Sequence, residues 1–139
     1  IDPLQIASGA DVVGDTLNWA APLLAEGPVL VYSTAETGSV KSIQSQLGVE
    51  AAGAMVERTI AAIARGLVER GVRQLIVAGG ETSGACVQAL EISQMQIGPQ
   101  IDPGVPWCHA QTPLGAIHIT LKSGNFGTDD FFTKAFGLL

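Results

Sequence analysis

Two glycine-rich turns, each placed directly after an apolar strand-like run, constrain this chain more than any other feature. The first, Gly79-Gly80-Glu81-Thr82-Ser83-Gly84, follows Leu75-Ile76-Val77-Ala78. The second, Lys122-Ser123-Gly124-Asn125-Phe126-Gly127, follows Ile117-His118-Ile119-Thr120-Leu121. Glycine has no Cβ, so it can take positive φ and let another group come close to the backbone. Where such a turn leads into a helix, unpaired N–H groups and the helix dipole converge and favour an anion, phosphate above all. Neither turn is a Walker loop, because no Gly-Lys-Ser/Thr closes it. Neither is G-x-G-x-x-G, because the first has its glycines at 79, 80 and 84.

The runs around these turns read as an α/β domain. Val12, Val13, Leu17, Ala20, Leu23 and Leu24 fall at helical spacing over 10–26, with Pro22 expected to kink or break the helix. Val29-Leu30-Val31-Tyr32 reads as a strand buried on both faces. A short helix is expected over 40–47. The clearest helix runs over 51–70, with Met55, Val56, Ile60, Ile63, Leu67 and Val68 as its apolar stripe and Gly71 past its end. A strand over 72–78, the first glycine turn and a helix over 83–90 complete a βαβα unit, which favours parallel pairing. A strand over 95–97 comes next, and then 98–111, rich in Pro and Gly, which cannot be a regular helix. Residues 116–121 alternate, which predicts a half-exposed strand with His118 and Thr120 on its outer face, and a last helix covers 129–136. The fold expected is α/β and three-layered, with a mainly parallel or mixed central sheet flanked by helices. Residues 1–9 read as a lead-in segment, and the start at Ile1 rather than Met suggests a piece of something longer.

Composition narrows the function. A chain of 139 residues suits one domain with a real core, and 47% hydrophobic against 14% charged residues excludes a disordered tail. Thirteen acids against seven bases give a net charge of −6, which disfavours nucleic acid and anionic membranes as partners. No apolar run reaches the roughly 20 residues of a membrane span, and nothing reads as a signal peptide, so a cytoplasmic location is the default. Cys86 and Cys108 are spaced neither as a metal motif nor as a disulfide framework and read as buried thiols. His109 and His118 have no ligand-spaced partners, and no protein ligand to a metal is assigned. Trp107 reads as a core plug, with the wall of an adenine pocket as the alternative.

Taken together, 79–84, the segment Gly98-Pro99-Gln100-Ile101-Asp102-Pro103-Gly104-Val105-Pro106-Trp107, and 122–127 with Asp130-Phe131-Phe132 carry a family likeness. The chain resembles the C-terminal nucleotide-binding domain of the four-carbon acid sugar kinases, of the 3-oxo-tetronate kinase type, most strongly from Val29 onward. The resemblance implies a single nucleotide-binding domain over 1–139, the C-terminal part of a two-domain kinase whose N-terminal sugar-binding domain is absent here. It implies ATP contacts at Gly79, Gly80, Glu81 and Thr82 in the first turn, at Gly124 in the second, and at Ser33 after the 29–32 strand, where Thr34 and Ser39 lie close by. Mg²⁺ is expected with the nucleotide. Glu81 faces that cation directly or through water, binds ribose, or bonds only its own backbone. The full-length enzyme is expected to phosphorylate a 3-oxo-tetronate at its terminal hydroxyl. No residue is assigned as the catalytic base, and a homodimer stays open. The isolated chain is expected to bind ATP at best, and not to turn over.

The alternative is a non-catalytic module of the same shape that binds a nucleotide or sugar phosphate. It would dock a partner through the 116–121 strand and the Phe131-Phe132 end. A dinucleotide-dependent oxidoreductase is disfavoured, because no acidic residue ends a second strand roughly 20 residues after a proper fingerprint.

Overall fold

The computed structural model of the chain describes residues 1–33 and 48–139, so the helix expected over 40–47, with Thr34 and Ser39, lies outside the described residues. The contacts divide the chain into two units, Ile1–Gly66 and Leu67–Leu139.

The first unit is helical. Helix α1 spans Pro3–Ala7, capped by the Asp2 carboxylate on the Leu4 N–H at 2.9 Å, so the lead-in segment is folded rather than extended. Helix α2 spans Val12–Leu23, and Asp11 caps it by accepting from Gly14 N–H at 2.9 Å. Pro22 ends α2 within its last turn instead of kinking its middle. Helix α3 spans Val49–Glu69 and contributes most of its length to this unit. A Cβ on Gly66 would sit 2.5 Å from Leu17 Cδ1, so the missing side chain is what lets α2 lie close to α3. The strand expected at Val29–Tyr32 does not form. Residues 28–33 have no regular structure, and Leu30 and Tyr32 are exposed. A short apolar run carries no periodicity to decide its state, and this one has no partner in the described sheet.

The second unit holds the sheet. Strand β1 (Gln74–Ala78), helix α4 (Gly80–Ala89), strands β2 (Met95–Asp102), β3 (Val105–Thr112) and β4 (Gly115–Lys122), and helix α5 (Phe131–Phe136) follow in order. The strand order is β1-β4-β3-β2. Only β1 and β4 run parallel, with Gln74 opposite His118 and Ala78 opposite Lys122. The pairs β3–β4 and β2–β3 are antiparallel hairpins. The sheet is therefore mixed, with α4 packed on β1 and β4 and α5 on β2. Helix α3 ends as expected, at Gly71 (φ +100°), where Gly71 and Val72 N–H groups bond back to Val68 and Leu67 carbonyls.

The 98–111 segment, which could not be a regular helix, is mostly the β2–β3 hairpin. Its three prolines are placed where a sheet tolerates them. Pro99 sits at an irregularity of the edge strand, Pro103-Gly104 forms the two-residue turn with Gly104 at φ +78°, and Pro106 lies just past that turn. Trp107 is a core plug. It is fully buried with Ile101, Val105, Phe131 and Ala135, and its indole N–H donates to the Ala135 carbonyl at 2.9 Å. Strand β4 is not half-exposed, since Thr120 is buried along with Ile117 and Ile119. Phe131 is buried too, so at the Phe131-Phe132 end invoked for the docking-module alternative only Phe132 is exposed.

Cys86 is fully buried, and burial pushes its thiol up to about 11, whereas Cys108 is half-buried and raised less far from the surface. No described helix is long and apolar enough to cross a membrane.

Trp107→Ala empties the centre of the α5-side core. It should cost about 3–5 kcal/mol, read as a lower urea midpoint.

Candidate functional site

The candidate site lies at the carboxyl ends of β1 and β4. Because these two strands are parallel neighbours in register, the turns that follow them leave the sheet side by side. Gly79 N–H donates to the Lys122 carbonyl at 2.9 Å and ties one turn to the other. Open α/β sheets place ligands in this crevice at strand carboxyl ends.

Gly79 takes φ +112°, a conformation that L side chains rarely adopt, and swings the chain from β1 into α4. It is the N-cap, and no side chain caps the helix. Neither Thr82 nor Ser83 caps it. Among the described residues, no side chain thus covers the first-turn N–H groups of this ten-residue helix. Ser83 Oγ is buried and has no hydrogen-bond partner among the described residues. A Cβ on Gly80 would lie 3.8 Å from Ser123 Oγ, so Gly80 faces the second turn. Thr82 Oγ1 would lie 3.2 Å from a Cβ on Gly79. Glu81 is exposed in the first turn of α4.

In the second turn, Gly124 takes φ +55°, and a Cβ there would meet nothing within 4 Å, so its surroundings are open. The Lys122 ammonium donates to the Gly124 carbonyl at 3.2 Å and places its charge within this turn. Gly127, at φ +94°, has a packing role. A Cβ there would stand 2.8 Å from Phe131 Cδ2 and 3.3 Å from Lys122 Cε.

The structure therefore brings together Gly79, Gly80, Glu81 and Thr82 with Gly124. Ser33 belongs to the other unit, half-buried in its irregular 28–33 segment rather than at a strand end. The groups present suit a nucleotide's phosphates, with an uncapped helix N-terminus, glycine backbone and a lysine. For a cation bound with those phosphates, Glu81 is the carboxylate on the first turn of α4.

Sequence reasoning did not identify the group that closes the second turn. Asp102, at the β2–β3 hairpin, is buried and accepts from Thr128 N–H at 2.9 Å and from the Lys134 ammonium. Thr128 Oγ1 lies 3.1 Å from Asp102 and 2.6 Å from Asp130 Oδ1, and Lys134 reaches it at 2.8 Å. Nothing local to Asp102 signalled partners 26 and 32 residues away. His109 and His118 also meet, with ring centroids 5.3 Å apart, because β3 and β4 pair them. They line an open depression of about 250 Å³ with Gln96 and Trp107, midway along the strands. No described cluster holds three or more metal-ligating side chains.

The family model described as "Nucleotide-binding C-terminal domain" matches residues 1–132. The chain belongs to this family. It is 57% identical over 135 residues to a 3-oxo-tetronate kinase of Burkholderia multivorans, covering 97% of this chain and 31% of that protein. It is 52% identical over 141 residues to the 3-oxo-tetronate kinase of Pseudomonas fluorescens, covering 100% of this chain and 32% of that one. A crystal structure of a Haemophilus influenzae protein superposes with a TM-score of 0.78 at 36% identity, over 99% of this chain and 33% of that one. The chain thus spans about a third of the length of the curated relatives it matches.

The hydrogen bond from Lys134, then that from Thr128 N–H, hold the Asp102 carboxyl below its ordinary value. The folded value is below the unfolded one, near 3.9. Asp102 therefore stabilises the fold above the unfolded value and loses that contribution as pH falls through the folded one. Between about pH 5 and pH 2, wild-type stability should fall more steeply than that of Asp102→Asn, as urea midpoints taken across the range will show.

Proposed function

We propose that this chain is the ATP-binding part of a kinase that transfers the γ-phosphoryl group to the terminal hydroxyl of a four-carbon sugar acid, 3-oxo-tetronate, giving the 4-phosphate. What carries the reading is the hydrogen bond between Gly79 N–H and the Lys122 carbonyl, which sets both glycine turns around one crevice. Family membership and the 3-oxo-tetronate kinase relatives support it.

In this reading the first-turn N–H groups of α4, at Gly80, Glu81 and Thr82, receive phosphate oxygens, and Gly79 supplies the sharp turn that aims them. Gly124 lets the nucleotide approach the second turn, and Lys122 offsets negative charge beside it. Ser33 enters as an ATP contact on the family likeness of its position alone. Mg²⁺ bound with the nucleotide neutralises phosphate charge, with Glu81 as the carboxylate closest in sequence to the phosphate-binding N–H groups. Phosphoryl transfer needs little covalent help from the protein, so the chain's contribution is positioning and electrostatics. The sugar acid and the group that takes its hydroxyl proton belong to a preceding domain, the chain being the C-terminal part of a two-domain kinase.

Calorimetric titration of the full-length protein with Mg·ATP, with GTP and NAD as controls, tests the reading. Saturable ATP binding and no NAD binding are expected, and a protein that takes up no nucleotide leaves the non-catalytic module standing. Gly80→Val fills the space facing Ser123 while keeping an ordinary backbone conformation. It should weaken Mg·ATP at least about tenfold, some 1.4 kcal/mol, with little change in melting temperature. Unchanged affinity would remove the first turn from the site.

A further inference from the structure

The second glycine turn is held weakly along its length and firmly at its ends. Gly124 and Gly127 both take positive φ, Phe126 is exposed, and nothing crowds Gly124. At its start the turn is anchored by β4. At its exit the anchor is Thr128, whose N–H donates to the Asp102 carboxylate at 2.9 Å.

Asp102 itself cannot drift. It follows Ile101, which is part of the Trp107 core cluster, and precedes the two-residue Pro103-Gly104 turn. Counting protons assigns the remaining bonds. The single hydroxyl proton of Thr128 goes to one carboxylate, and Asp130 Oδ1, at 2.6 Å, is closer than Asp102 Oδ2, at 3.1 Å. Asp102 is then held by the Thr128 N–H and by Lys134 on α5, both outside its own hairpin. Asp102 is buried and Lys134 half-buried, and the bond between them is charge-assisted.

The geometry points to Asp102 as the positioning residue of the second glycine turn: through Thr128 N–H and Lys134 it fixes where Gly124 and Ser123 stand opposite Gly80. This inference rests on the nucleotide reading above. The chemistry served is recognition of a nucleoside triphosphate's phosphates by backbone groups, which need their partner atoms placed before binding rather than ordered by it.

Two measurements on the full-length protein test it. Hydrogen exchange reads the turn with no nucleotide present. In Asp102→Asn, amides over 123–128 should exchange about tenfold faster, while those of α4 and β3 stay at the wild-type rate. Calorimetry then reads the ligand. Asp102→Asn and Lys134→Met should each weaken Mg·ATP by about tenfold, with Lys134→Arg restoring much of the loss. Should Asp102→Asn fail to fold, Lys134→Met removes one of the two bonds that hold the carboxylate, and amides over 123–128 should show a smaller rise in the same direction. Exchange that rises equally throughout the sheet, or not at all in the turn, overturns the positioning role. Selective loosening with unchanged affinity also overturns it and leaves the nucleotide reading intact. A wild-type protein that takes up no Mg·ATP overturns the nucleotide reading and this inference with it.

Discussion

The parallel pairing of β1 with β4 is the constraint on which the rest of the second unit depends. Two strands that end level with each other oblige whatever follows them to leave in the same place. Ala78 and Lys122 are those ends, and the bond from Gly79 N–H to the Lys122 carbonyl continues the ladder one step past the strands. That extra step fixes the start of α4, because Gly79 is at once the last laddered residue and the helix N-cap. Side-chain capping of α4 would have covered the N–H groups that a phosphate needs. A glycine N-cap at positive φ leaves them open, at a cost of only about a few tenths of a kcal/mol against a side-chain cap.

The remaining strands serve this pair. The β2–β3–β4 meander delivers β4 to β1 and builds the core that keeps β4 in place. Trp107 is central because it is bonded as well as packed. Its indole N–H ends on the last buried turn of α5, so the helix that follows the second glycine turn is tied to the sheet next to which that turn lies. Gly127 completes the arrangement by leaving room for the Phe131 ring.

The two turns, α3, α4 and the sharp stop at Gly71 were legible because each rests on local chemistry: helical spacing over many residues, or a backbone position only glycine fills easily. The mixed sheet was less so. Prolines at 99, 103 and 106 mask a hairpin, since their meaning depends on whether a strand lies at an edge, which local sequence does not record. Val29–Tyr32 has the composition of a strand but pairs with no described strand, and without one it is only an apolar run. The site divides in the same way. Gly79, Gly80, Glu81, Thr82 and Gly124 were named on a family likeness carried by the turns that contain them, and the structure sets those turns side by side. Asp102, Thr128 and Lys134 were not named, because a buried carboxylate, a hydroxyl and an ammonium spread over three elements leave no spacing to read. Ser33 was named on the family likeness of its position after an expected strand, and that strand does not form.

The order of the chain adds a kinetic consequence to the sheet order β1-β4-β3-β2. Both antiparallel pairs join neighbours through short turns, whereas β1 and β4 are separated by α4 and the whole meander. Closing a long loop costs more entropy than closing a short one, so the hairpins assemble first and β1 arrives last. The crevice between the two glycine turns comes into existence only at that final step. A nascent or partly unfolded chain can hold most of its core and still lack the crevice proposed for phosphate, so ligand capture there would report that the long-range pairing is complete.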